Sequence, residues 1–139
     1  MRRPIAIALT TVAVVLVAAS VTATASTVLT TKMNGTQETP KGAPKGSGSA
    51  TITLNAAKGK VCFKLTWSGI GNPTASHIHQ GAKGKAGPVV VPLFAATPKH
   101  SGCVSAAKSL IAKIAKKPGG YYVNVHTAKY PGGAVRGQL

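Results

Sequence analysis

A chain of 139 residues carrying 17 Lys and Arg against a single acid, Glu38, has a formal charge of +16, and this limits its chemistry before any motif is read. One carboxyl cannot form the acid–base pair that glycosidases and aspartic proteases need, and the oxygen-rich cages of calcium or magnesium are out of reach. The length suits one domain with one modest core.

The first residues follow the order of a secretory leader. Arg2 and Arg3 form a positive start, an apolar run extends from Ile5 to Ala19, and Ala23-Thr24-Ala25 offers the small-x-small pattern of a cleavage site. The run is 15 residues long, short of the ~20 that a helix needs to cross a bilayer. A leader over 1–25 with cleavage after Ala25 is therefore expected, and an uncleaved anchor is the alternative. The domain would be 26–139, secreted, periplasmic or cell-surface, with no membrane span once the leader is removed.

Within that domain, residues 26–33 are β-branched and read as a first strand, and 34–48 as a Gly/Pro/Lys loop. Ala50, Ile52 and Leu54 alternate with polar residues. After the turn Ala56-Ala57-Lys58-Gly59, Val61, Phe63, Leu65 and Trp67 alternate in the same way, giving a hairpin with one buried face. Cys62 lies on the opposite face, so a bridge to Cys103 would pin a covering loop to the sheet. An even pair of cysteines in an exported small domain reads as a disulfide. No CxxC or nearby Cys-His pair supports a thiolate metal site, and closing the 41-residue gap is worth roughly 4 kcal/mol on the chain-entropy view.

Ala75-Ser76-His77-Ile78-His79 is a short strand followed by a Gly/Lys loop over 81–87. Pro88 to Phe94 is another, confined by Pro92 to an edge or a bend. Leu110, Ile111 and Ile114 make one stripe of a helix over about 105–117, ended by Pro118-Gly119-Gly120. Tyr121, Val123 and Val125 alternate with Tyr122, Asn124 and His126. Tyr130-Pro131-Gly132-Gly133 then turns into a last strand, Ala134 to Leu139. Many short strands, Gly/Pro turns and one helix specify an all-β fold, a Greek-key β-sandwich or an open barrel.

Five segments carry a resemblance in order along the chain: Asn34 to Pro40, Ala75 to His79, Gly87 to Leu93, Gly120 to Thr127 and Tyr130 to Leu139. Together they resemble the CHRD domain, the module repeated in chordin and found singly in secreted bacterial proteins, over about residues 29–139. The resemblance implies an exported all-β domain and no particular activity. Ala134 stands where the family often has Glu.

His77 and His79, at i and i+2 on a strand, emerge on one face roughly 6.5–7 Å apart at Cα. His126 lies on the Asn124 face of a later strand; if the two strands are neighbours, the three imidazoles converge. Three His without a thiolate suit copper or zinc. With no carboxylate at hand, the imidazoles would be oriented by backbone carbonyls or by Asn124. His-Ile-His, a Gly-rich loop and a later Val-His are also similar to the copper-ligand pattern of copper–zinc superoxide dismutases, although no bridging histidine or zinc-site Asp has a counterpart. The competing reading is a hydrogen-bonded polar cluster that holds loops in place. Arg136 would guide an anion beside a metal or, more ordinarily, pair with Glu38.

No other chemistry stands out: there is no Gly-x-Ser-x-Gly elbow, and Gly84-Lys85-Ala86-Gly87 lacks the spacing of a phosphate loop. The 14 Lys invite polyanions such as anionic wall polymers, polysaccharides or nucleic acid, or form a solvated surface. The scarcity of Arg argues against sequence-specific nucleic acid reading. Two functions are expected: a non-enzymatic extracytoplasmic binding or structural module, or a copper or zinc protein with a storage, delivery or weak redox role.

Overall fold

Period-2 alternation of apolar and polar side chains turns most of the chain into strands. The computed structural model describes residues 25–139; apart from Ala25, the expected leader lies outside the described residues. The elements are β1 (Thr27–Asn34), β2 (Ser47–Asn55), β3 (Lys60–Ser68), β4 (Pro73–Gln80), β5 (Val89–Ala95), β6 (Ser101–Ser105), α1 (Lys108–Lys116), β7 (Tyr121–Thr127) and β8 (Val135–Gln138). They form one antiparallel sheet in the order β5-β4-β7-β8-β1-β2-β3-β6. Its two edge strands, β5 and β6, follow each other in the chain and approach one another. Trp67 of β3 meets Phe94 of β5 with ring centroids 6.0 Å apart. The sheet is thus a nearly closed barrel, the second of the two architectures expected.

Inside the barrel, Ile52, Leu54, Val61, Leu65, Ile78, Val91, Val123, Val125 and Val135 are buried. Each such side chain removed from water contributes about 1.5–3 kcal/mol. The helix adds Ile111 and Ile114, both with no exposed surface, to the same core, and packs against β2 and β3. Its residues 108–116 are a shorter run than the 105–117 read from the stripe. No side chain caps its start at Ala107, so the residues before Lys108 are not drawn into it. Trp67, expected with the buried face, is only half-buried and stacks on His100 at 4.0 Å.

Cys62 and Cys103 are bonded, but not through a covering loop. Cys103 lies on β6 directly opposite Cys62 of β3, so the bridge ties an edge strand to its neighbour. The strand escapes sequence reading because Ser-Gly-Cys-Val-Ser has almost no apolar alternation. Pairing along β3 creates it, and Gly102 lets the backbone lie over Phe63, whose Cζ would be 3.0 Å from a Cβ there. The expectation that Pro92 confines its strand to an edge holds: β5 is an edge, with register shifts on either side of His77 and Ile78 of β4.

Because Ile114 is wholly buried, Ile114→Ala should cost about 2–5 kcal/mol in urea unfolding. Val28→Ala, at a position 59% exposed, should change stability by less than about 0.5 kcal/mol.

Candidate metal centre

The site sits on the outer side of β4 and β7. Alternation sends Ile78, Val123 and Val125 into the core and His77, His79, Tyr122, Asn124 and His126 to the other face. In the β4–β7 register His79 lies opposite Tyr122, His77 opposite Asn124 and Ala75 opposite His126. His126 is therefore the diagonal neighbour of His77, within reach across an antiparallel pair. This face is not open to water, because β7 is buried along its whole length. His79 is 7% and His126 9% exposed, and His77 is half-buried at the solvent edge.

The three histidines expected from the sequence to converge, His77, His79 and His126, are brought together by the fold. One nitrogen from each lies within 4.8 Å of the others. Nitrogens bound at ~2.0–2.1 Å to one tetrahedral ion stand roughly 3.3–3.4 Å apart, so the three would have to draw closer to share one ion. His77 Nδ1 and His126 Nε2 are 3.0 Å apart. His126 Nδ1 faces the Pro131 carbonyl at 2.9 Å and His79 Nδ1 the Gly87 carbonyl at 2.9 Å. A carbonyl only accepts, so both Nδ1 atoms carry hydrogen, which leaves Nε2 as the atom of each ring that could take an ion. Backbone carbonyls thus do the orienting that carboxylates commonly do.

His79 is held on a second side by Tyr122, whose ring stacks on it at 4.7 Å and 6°. The Tyr122 hydroxyl accepts from the Gly87 N–H at 3.1 Å, fixing the loop that supplies the carbonyl. Arg136 sits 3.4 Å over the Tyr122 ring and donates to the Lys85 and Ala82 carbonyls at 2.8 and 2.9 Å and to Gln138 Oε1 at 2.8 Å. Gln138 in turn donates to the Gly81, Gly119 and Tyr121 carbonyls. The fourth histidine, His100, stacks on Trp67 and takes no part in the three-histidine group.

The expected Arg136–Glu38 pair is not what forms. The Arg136 guanidinium is spent on carbonyls, and Glu38 Oε1 has no hydrogen-bond partner although the residue is only 4% exposed. The Ala82 and Lys85 carbonyls of the loop 81–88 take up the guanidinium instead. Burial pushes the Glu38 carboxyl up to about 7, against the Asn124 side chain, the Arg136 charge and the Thr39 N–H, which pull it down. Gly133 makes room for that carboxyl: a Cβ there would fall on Glu38 Oε1. Asn124 also meets His79, with Oδ1 3.1 Å from Nε2. Glu38 is thus one side chain removed from a histidine, a role its place in a loop gave no sign of. Its being the only acid was the one available signal.

Burial first, and then His126 and His79, push His77 down to about 4; burial also lowers His126. His77 and His126 are thus held toward the neutral form, the form in which an imidazole can ligate copper or zinc. Among the described residues no helix is long and apolar enough to cross a membrane.

The CHRD domain profile matches residues 29–139. Among curated proteins and among solved structures nothing matches the chain.

The two shifts have opposite consequences for stability. His77 falls from 6.5 to about 4 on folding, so the unfolded chain holds more protons in that window and stability drops as pH falls through it. Glu38 rises from 4.5 to about 7, so the folded state holds more protons and stability drops as pH rises. In the overlap the two slopes oppose each other. Glu38→Gln leaves only the histidine slope, so its melting temperature should fall more steeply than that of the wild type between pH 6.5 and 4.5. Parallel pH profiles would contradict these assignments.

Proposed function

This chain belongs to the CHRD domain family, and from that premise we propose that it is an exported binding module whose specific site holds copper or zinc on His77, His79 and His126. The observation that carries the reading is the convergence of three imidazole nitrogens within 4.8 Å, two of them aimed by carbonyl-bound Nδ1 atoms. In the metal-free protein His126 Nε2 accepts from His77 Nδ1, and an ion would take the place of that hydrogen bond. Three neutral nitrogens with a fourth position free can take Cu(II), Cu(I) or Zn(II). The group has no nucleophile or carboxylate pair, which favours binding, storage or delivery over turnover. Export is supported by the leader-like sequence over 1–25 and by the Cys62–Cys103 disulfide, a bond that persists in oxidising compartments.

Titration of the metal-free protein with Cu(II), followed by its d–d absorption and by EPR, should show one nitrogen-ligated ion per chain. His77→Ala should weaken binding by more than the ~10–100-fold that loss of an outer-shell partner costs. Unchanged affinity in His77→Ala would end this reading.

A second reading has its own observation. All fourteen lysines are exposed and the one acidic side chain is buried, so the described surface shows no side-chain carboxylate. Such a surface suits anionic wall polymers or polysaccharides bound through diffuse charge. Retention on immobilised polyphosphate should collapse between about 0.1 M and about 1 M salt, as the Debye length falls from ~10 Å to ~3 Å. Salt-insensitive retention, or none at low salt, would count against it.

A further inference from the structure

Arg136 is a permanent cation with 1% of its surface exposed, and every oxygen to which it donates is neutral: the Ala82 and Lys85 carbonyls and Gln138 Oε1. Taking a charge out of water without bonding it to an anion is costly, so the arrangement needs a reason. Those bonds use three of the five N–H groups of a guanidinium. The residue also lines a cavity of about 330 Å³, shared with Thr36, Gln37, Thr39, Lys83 and Gln138. The cavity lies between the 3-10 turn Gly35–Gln37, the loop 81–88 and the end of β8. We propose that it is a binding site for an acidic sugar, a uronate unit of a polysaccharide, with the carboxylate toward Lys83 and Arg136 and the hydroxyls toward Thr36, Gln37 and Thr39. The inference rests on the polysaccharide reading of the lysine surface and gives it one specific subsite.

The wall of the cavity is sorted by hydrogen-bonding role. Thr36 Oγ1 gives its hydrogen to Asn34 Oδ1 at 2.7 Å, and Thr39 Oγ1 gives its own to the Gly84 carbonyl at 3.3 Å. A hydroxyl has one hydrogen and two lone pairs, so both offer only acceptors to whatever enters. Gln37 Nε2 donates to the Lys32 carbonyl at 3.1 Å, which leaves its amide oxygen in the same role. Lys83, exposed on the loop, brings three N–H donors and no acceptor. A ligand that answers this wall carries negative charge on one side and O–H donors on the other. A neutral sugar lacks the charge, and an inorganic anion such as sulfate lacks the hydroxyls. A sugar acid has both.

The walls are fixed from three sides. Asn34 Oδ1 also accepts from the Gln37 N–H at 3.0 Å and so closes the turn. Thr39 ties that segment to the loop at Gly84. From β8, Arg136 and Gln138 hold the loop by its Ala82, Lys85 and Gly81 carbonyls. Walls held in this way lose little freedom when a ligand enters, which favours affinity. The volume is at the small end for ligand pockets and suits a single sugar unit. The formal charge of +16 draws an acidic polymer toward the surface, and the cavity then selects the unit that carries both carboxylate and hydroxyls.

Calorimetric titration of the intact protein with trigalacturonate, in about 0.15 M salt to screen diffuse attraction, should show saturable binding. Galactose and inorganic sulfate, each lacking half of the match, should bind at least about tenfold more weakly. Lys83→Ala and Thr36→Val, both at exposed positions, should each weaken trigalacturonate by about five- to tenfold. Lys58→Ala removes the same charge from the exposed β2–β3 turn, outside the cavity, and should change affinity by less than about twofold. Equal weakening by Lys83→Ala and Lys58→Ala overturns the cavity site and leaves diffuse lysine attraction as the whole of the binding. Sulfate or galactose binding as tight as trigalacturonate overturns it too. No binding of trigalacturonate by a protein that is still retained on polyphosphate overturns this inference alone, and failure of both overturns the polyanion reading with it.

Discussion

The register of β4 against β7 is the constraint on which the rest depends. Side chains alternate with period 2, so a slip of one residue would send His77 and His79 into the core and Ile78 out to the loops. The apolar members of both strands, Ile78, Val123 and Val125, have no exposed surface, and they make such a slip costly. The Ser76 hydroxyl adds a buried donor to the Asn124 carbonyl at 2.7 Å. Core packing on one side of the sheet therefore fixes the spacing of imidazoles on the other. The geometry of the histidine cluster is thus set by valines and an isoleucine on the opposite face of the sheet.

Scarcity of acids shapes the site as much as register does. A ligand histidine is commonly steered by a carboxylate behind it, and here the steering falls to the carbonyls of Gly87 and Pro131. Those carbonyls belong to connecting segments, so the segments themselves must be held still. Arg136 and Gln138 hold one of them by donating to the Ala82, Lys85 and Gly81 carbonyls. Tyr122 holds the Gly87 N–H. Loops that carry function are ordinarily positioned by a rigid scaffold; in this barrel the scaffold reaches out with side chains to grip them.

Much of this was legible in the sequence, and the exceptions have physical causes. Strands such as β2, β3 and β7 announce themselves because one face meets the core. The histidine set was legible because i, i+2 spacing on a strand guarantees a shared face. β6 was not, since its five residues carry little periodic signal and take their structure from β3. Glu38 was not, since it follows a short turn after β1, and its approach to Asn124 depends on partners far along the chain. The Arg136–Glu38 pairing was a reasonable inference from opposite charge alone. It failed because neutral carbonyls, being fixed and numerous, satisfied the guanidinium first.

The strand order has one more implication. β1, β2 and β3 are a meander of successive neighbours, and β4 pairs with β5 as its own hairpin. The two sets are joined within the sheet by β8, which lies between β7 and β1. β8 is the last of the eight strands in chain order, yet it sits at the middle of the sheet. Its four residues join the two sets, bury Val135 in the core and carry Arg136 and Gln138 to the loop carbonyls. Continuity of the barrel and the hold on the loops beside the histidines thus rest on the same short strand.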